Sequence, residues 1–297
     1  MRYINIDNFQ EQFDKINGED KFDEWLENAK THLDNIRDLN RKQRSDYWSA
    51  NNHWKGLYTT LSELSGNKCW YSEAPENSSE WEIEHFRPKA NSKDENKLVI
   101  RDDGYWWLSY HWKNFRLAGS LVNKLRKDRF TDSEDVFGKG NYFPLENKLN
   151  VAIPEDMYCT KEVPLLLDPT KSRDCTLLAF DKDGDIFPKF SISESPLKFK
   201  KADLSIKYYG LKHKPIQRGR KKIWEHCNRI VDLANNYIKT YFSNEQEVEN
   251  KIEDCFSELT KMSMPTAPYT SVVKSFVLVK SQEPNYEWLR DAMLVMQ

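Results

Sequence analysis

The stretch WEIEHFRPK (81–89), with YHWKNFRLAGSLVN (110–123) downstream, decides how this chain is to be read. In the first, Trp81, Ile83 and His85 alternate with Glu82, Glu84 and Phe86, the two-residue period of a short strand. Pro88 has no N–H for a ladder and ends regular pairing. Neighbouring strand side chains point to opposite faces, so Glu84 and His85 reach one site only where the strand ends or bends. A His beside a hard carboxylate is suited to activating water next to a divalent cation. Asn123 adds a neutral oxygen ligand of the kind Mg²⁺ and Mn²⁺ accept. Arg87, Lys89, Arg126 and Arg129 add charge for a phosphate. Taken singly these residues mean little, since a lone His beside a Glu is ordinarily packing or surface. Their arrangement carries the reading.

Working outward, residues 8–66 read as helical. Phe9, Phe13, Ile16, Phe22, Trp25, Leu26 and Ala29 keep an i, i+3, i+4 rhythm, with Asp7 as N-cap of the first helix. A second helix is expected from about 46 to 64, ending before Gly66. Residues 91–96 read as polar loop. The segment opened by YWWL (105–108) is strongly aromatic and turns helical near its end. From 131 to 195 the chain is rich in turns, and Leu177 to Phe180 and Ile186-Phe187 flank Asp183-Gly184 as a β-hairpin. Asp181, Asp183 and Asp185 resemble the start of a calcium loop, but the Gly falls too early and Ile192 stands at the closing Glu position, so a hairpin turn is the better reading. Residues 196–262 return to helix, as does most of the remainder. The expected fold class is α+β, organised as 1–66 (helical), 67–195 (central module with its hairpin) and 196–297 (helical, with a basic stretch).

Composition sets the outer bounds. With 38% hydrophobic and 31% charged residues among 297, the chain reads as a polar-surfaced globular protein, and ten Trp imply a core built largely from rings. No apolar run approaches a membrane span, and the opening MRYINIDNFQEQF has no apolar signal stretch; a cytoplasmic protein is expected. Five scattered cysteines, Cys69, Cys159, Cys175, Cys227 and Cys255, form no C-x-x-C pair and are expected to be reduced and mostly buried. A net charge of −2 conceals a segregation: between Lys198 and Lys222 there are ten basic residues and one acid, Asp203. Such a run is ordinarily a solvated helix face; the alternative is a surface that follows phosphates, with Arg218, Arg220 and Lys222 among its contacts.

Read together, CWYSE (69–73), EIEHFRPK (82–89), GYWWLSYHWKNFRL (104–117), GKGNYFPL (138–145) and VPLLLDPT (163–170) resemble, in order, the HNH (ββα-metal) endonucleases. The resemblance is to the bacterial branch that includes the HNH component of Septu-type and retron-associated phage defence. It covers about 68–195, with a weaker likeness at PYTSVVKSFV (268–277). It implies two short antiparallel strands and a helix holding one Mg²⁺ or Mn²⁺ ion, set among helical flanks. His85 is then the general base, Glu84 the metal carboxylate (usually Asp in these enzymes), Asn114 the middle Asn that orients the His or braces the loop, and Asn123 the second metal ligand. Arg126 stands where many members place a phosphate-binding Lys. The implied reaction is hydrolysis of DNA, duplex foremost, leaving a 5′-phosphate. The implied partner is an ATPase of the same defence system.

The chain departs from the common pattern in its cysteines. Many relatives bind a structural zinc through two C-x-x-C pairs; here Cys69 is matched by Ser72 and the second pair is absent, so no zinc is expected. Trp70, Tyr71, Trp106 and Trp107 are expected to fill that space. The alternative function is a catalytically silent nucleic-acid-binding scaffold in a larger, ATPase-containing complex; the joint presence of His85, Asn114 and Asn123 favours the enzyme.

Overall fold

The computed structural model describes residues 1–75, 81–127, 136–240 and 245–290. Four helices open the chain: α1 (Phe9–Asn17), α2 (Lys21–Ile36), α3 (Arg41–Ala50) and α4 (Tyr58–Ser65). The apolar rhythm of the first two becomes a ring stack, with Phe9 and Phe13 against Phe22 (centroids 5.5 and 5.4 Å) and Phe22 against Trp25. Asp7 does not cap α1. Asn8 occupies that place, and the Asp7 N–H is taken by Asn5. The helix expected over 46–64 is broken into α3, a 3₁₀ turn (His53–Leu57) and α4. Its true start is a capping box between Asn40 and Gln43. The break comes at Asn51, whose backbone and side-chain nitrogens both donate to the Tyr47 carbonyl. Gly66 ends α4 as expected; its φ is 65°, and a Cβ there would lie 2.7 Å from the Thr266 backbone.

The centre is a set of two-stranded antiparallel ribbons on an aromatic core. Strand β1 (Glu82–His85) pairs with β4 (Phe115–Ala118) in the register Glu82–Ala118 through His85–Phe115. Between them, β2 (Ser92–Lys93) pairs with β3 (Val99–Arg101) where the sequence suggested polar loop. Asp94 makes that reversal: its buried carboxylate accepts the Asn96 and Leu98 N–H groups and pairs with Lys148. After β4 comes one helical turn, α5 (Ser120–Asn123), then β5 (Arg126–Lys127) paired with β6 (Val136–Phe137). A short α6 (Ser172–Cys175) precedes the expected hairpin, β7 (Leu178–Phe180) with β8 (Ile186–Pro188). Asp181 spends its carboxylate on the N–H groups of Asp183 and Asp185, as a turn residue does.

The chain closes with α7 (Pro196–Tyr208), α8 (Lys214–Thr240), α9 (Glu245–Ser263) and α10 (Thr270–Lys280). One apolar core runs from Met1 through the ribbons to Val272, so the opening helices and the central ribbons share it. A second, smaller core lies among α8, α9 and α10 around Cys227, Val231, Leu259 and Phe276. Among the described residues no helix is long and apolar enough to cross a membrane.

Candidate active site

Strand β1 stops at His85 because Asn114 takes over the backbone there. The Asn114 carbonyl accepts the Phe86 N–H at 2.8 Å. Its side-chain oxygen accepts the Arg87 N–H at 2.8 Å, and its amide donates to the carbonyls of Arg87 (3.0 Å) and Leu108 (3.2 Å). Each of these side-chain hydrogen bonds is to backbone, and together they hold the bend at the end of β1.

His85 sits at that bend. Its ring packs edge-on against Trp54 and Phe115, with centroids 5.0 and 4.9 Å away. Nε2 lies 3.1 Å from the Ser109 carbonyl, which can only accept, so Nε2 carries the proton. Burial, with the Lys89 and Lys139 ammonium groups nearby, holds the imidazole well below its ordinary range against the pull of the Ser109 bond. The ring is therefore neutral near pH 7 and Nδ1 keeps its lone pair. Among the described residues no side chain or carbonyl hydrogen-bonds Nδ1.

Glu84 is buried one residue earlier. The Tyr71 hydroxyl donates to one of its oxygens at 2.7 Å and the Lys139 ammonium pairs with the other. Lys139 Nζ also donates to the His85 carbonyl at 3.0 Å, so one buried cation ties both residues together. The sequence reading passed over Lys139, although it lies in the quoted GKGNYFPL motif. The signal was the paired glycines. Gly138 has φ 110° and a Cβ there would fall 2.2 Å from the Lys124 carbonyl oxygen; Gly140 has φ 48°. Only glycines let the loop press this Lys under the ribbon. Opposite Glu84, Arg116 forms a two-pronged bond to Asp168, both arms 2.8 Å and both residues buried.

Asn123 reaches the same place from the end of α5. Its amide nitrogen donates to Glu82 at 2.7 Å, leaving the side-chain oxygen as the atom for a ligand. Ile83, Glu84, His85, Lys89 and Asn123 line one cavity of about 580 Å³. Lys89 lies over the Trp54 ring at 4.3 Å, and burial brings its ammonium down to about 8 against the attraction of Glu84. These residues suit a hard, oxygen-seeking cation as an incomplete set: the cavity lining includes one carboxylate residue, Glu84, and one amide, Asn123, leaving the other positions to water and phosphate. Among the described residues no group of three or more His, Cys, Asp or Glu converges on such an ion.

Other expected contacts lie elsewhere. Arg87 pairs with buried Glu162 at 2.9 Å and lines a separate, smaller cavity with His111, Asn114 and Arg116, so it is not placed for a phosphate beside His85. Arg126 lies in β5, with its side chain outside the described residues, and Arg129 falls outside them altogether. Arg220 is not a surface cation. It is 1% exposed and donates from Nε to the Gly184 carbonyl at 2.7 Å, locking the hairpin onto α8. Arg218 and Lys222 are exposed on α8. Three of the ten cations in the basic run meet carboxylates of this chain among the described residues, Lys200 with Glu95, Lys201 with Asp174 and Lys221 with Asp183.

The CWYSE turn is held by packing and a buried charge. Trp70 bonds Leu61 and Leu117, and Tyr71 stacks on Tyr209 at 4.1 Å; Trp107 is buried, while Trp106 lies half-buried under Arg44. Cys69 is buried and unbridged. Glu73, with φ 58°, accepts from the Met1 ammonium (2.7 Å), the Thr270 hydroxyl (2.8 Å) and the Ser271 N–H (3.0 Å). Despite its burial, these donors bring its carboxyl to about 2.

No family model matches the chain. Among curated proteins it is similar to the Septu protein PtuB of Bacillus mycoides (strain KBAB4), 27% identical over 227 residues, which cover 72% of this chain and 70% of that protein.

Proposed function

We propose that this chain is the nuclease component of a Septu-type anti-phage defence system and hydrolyses DNA phosphodiesters with His85 as general base. The similarity to Septu protein PtuB supports the defence role. The observation that carries the enzymatic reading is the position of His85: a neutral imidazole whose Nε2–H is spent on Ser109, leaving Nδ1 unprotonated, in a residue that lines the cavity shared with Glu84 and Asn123.

In this reading β1, β4 and α5 form the ββα unit. A Mg²⁺ or Mn²⁺ ion, when bound by Glu84 and the Asn123 oxygen, neutralises the phosphate and stabilises the departing oxygen. Nδ1 of His85 takes the proton of the attacking water. Ser109 holds the tautomer, and Asn114 and Lys139 hold the strand end that aims the ring. Lys89, at the cavity wall, meets a non-bridging phosphate oxygen. The ATPase partner and the cytoplasmic setting belong to the same proposal.

Plasmid cleavage with Mg²⁺, Mn²⁺ or EDTA tests it, alone and with the proposed ATPase partner. His85→Ala should lower the rate by roughly 10²–10⁴-fold while fold and DNA binding persist. Undiminished cutting by His85→Ala would remove the assignment. The scaffold reading has one observation in its favour, the capping of both Glu84 oxygens; it predicts DNA binding with no metal-dependent cutting at all.

A further inference from the structure

Lys139 pairs with Glu84 but does not itself line the cavity that Glu84, His85 and Asn123 share. Its side chain is 1% exposed, and its Nζ is held by the Glu84 carboxylate and the His85 carbonyl. The loop is pinned as firmly: the Lys139 N–H donates to the Val122 carbonyl at 2.9 Å, the Gly140 N–H to Asn123 at 3.0 Å, and Gly138 leaves no room for a Cβ. A residue so enclosed does not swing away when a ligand arrives. The charge count of the site follows. Glu84 is matched by Lys139, Asn123 is neutral, and Glu82, the next carboxylate, is shared between the Asn123 amide and Lys124. Lys89 adds a further positive charge at the wall.

We infer that Lys139 is a fixed counter-charge that denies the free protein a divalent cation, so that the ion binds Glu84 and Asn123 only together with a nucleic-acid phosphodiester, whose negative charge completes the site. The inference rests on the metal-site reading above. A carboxylate retains lone pairs after two hydrogen bonds, so Glu84 remains a ligand. Its attraction for a second cation is offset by the ammonium already paired with it, in a medium that screens poorly. A phosphate oxygen entering the cavity restores the missing negative charge. Metal and substrate then bind with mutual positive coupling, each raising the affinity for the other by the same factor. Free intracellular metal alone leaves the centre incomplete, a restraint that needs no second protein.

The test reads metal binding rather than turnover. Mn²⁺ binding is followed by the loss of its free-ion electron paramagnetic resonance signal, with and without a short DNA duplex. The His85→Ala protein is used, which prevents cleavage and keeps Glu84, Asn123 and Lys139. The duplex should tighten Mn²⁺ binding at least about tenfold, and Lys139→Met should tighten duplex-free binding at least about tenfold. Lys139→Arg, which keeps the charge, should bind free Mn²⁺ as weakly as its parent. Equal Mn²⁺ affinity with and without duplex, or a Lys139→Met protein that binds no more tightly, overturns the inference and leaves the metal site standing. No Mn²⁺ binding even with duplex overturns both. Should Lys139→Met fail to fold, the duplex dependence of the Lys139-containing protein still decides.

Discussion

The cavity at the end of β1 and the basic run along α7 and α8 start as equals: each is a concentration of residue types suited to a phosphate. They end differently. At β1, residues far apart in sequence converge, Glu84 and His85 from the strand, Asn123 from α5 and Lys139 from a glycine-flanked loop. Along α7 and α8 the charges disperse: Arg220 turns inward, while Lys200, Lys201 and Lys221 each meet a carboxylate of this chain. A charge run states only what a helix carries. Its targets depend on what packs alongside, and here acids brought in by other loops meet several of the cations.

Several substitutions would sharpen or break this contrast. The largest effect is expected at the buried ion pair of β4: Asp168→Asn removes the counter-charge of Arg116 and should cost about 3–5 kcal/mol in urea unfolding. A loss below about 1 kcal/mol would mean the pair is wet and the ribbon's polar core is not as enclosed as described. Next, Arg220→Met should cost about 1–3 kcal/mol by stranding the Gly184 carbonyl, while leaving duplex affinity unchanged. A variant that keeps its stability but loses DNA would return Arg220 to the surface.

Acid gives the third test. His85 and His111 both titrate below the ordinary 6.5 of a free imidazole, His111 at about 4 through burial with Lys113 nearby. The unfolded chain therefore takes up these protons first. Their contribution to stability is complete above about 6.5 and is lost as pH falls through 4. Cleavage should persist below pH 6.5 because His85 stays a free base there; an acid limb centred at or above 6.5 would contradict its buried, neutral state. The smallest effect is expected on α8: Arg218→Glu with Lys222→Glu should lower the salt slope of duplex binding by roughly 2, near 0.9 for each lost phosphate contact. An unchanged slope makes the exposed part of the run a solvated face as well.

Much of the local architecture is legible in residue patterns. The alternation in WEIEHF marks β1, Gly66 marks the end of α4, and Asp183-Gly184 marks the hairpin. Less visible is anything decided by a competing hydrogen bond. The split at Asn51 depends on a side chain capturing the Tyr47 carbonyl, and β2–β3 exists because Asp94 folds a polar stretch back on itself. Within the site, His85, Glu84, Lys89 and Asn123 could be named from their types, but Arg87 could not be excluded, since Glu162, seventy-five residues away, is what occupies it. Lys139 escaped because a Lys between glycines looks like any exposed loop until the φ angles show why the glycines are there.

Glu73 carries a consequence for how the protein is made. Its donors at Thr270 and Ser271 lie 197 and 198 residues downstream, and Lys68 in the same turn caps the carbonyls of Pro265 and Ala267. At roughly 5–20 residues per second of synthesis, the turn that abuts β4 waits roughly 10–40 s for the partners of its buried carboxylate. A nascent chain that already contains every residue of the candidate centre still lacks the contacts that close the CWYSE turn. The buried carboxylate of the CWYSE turn thus acquires these donors only after Thr270 and Ser271 have been made.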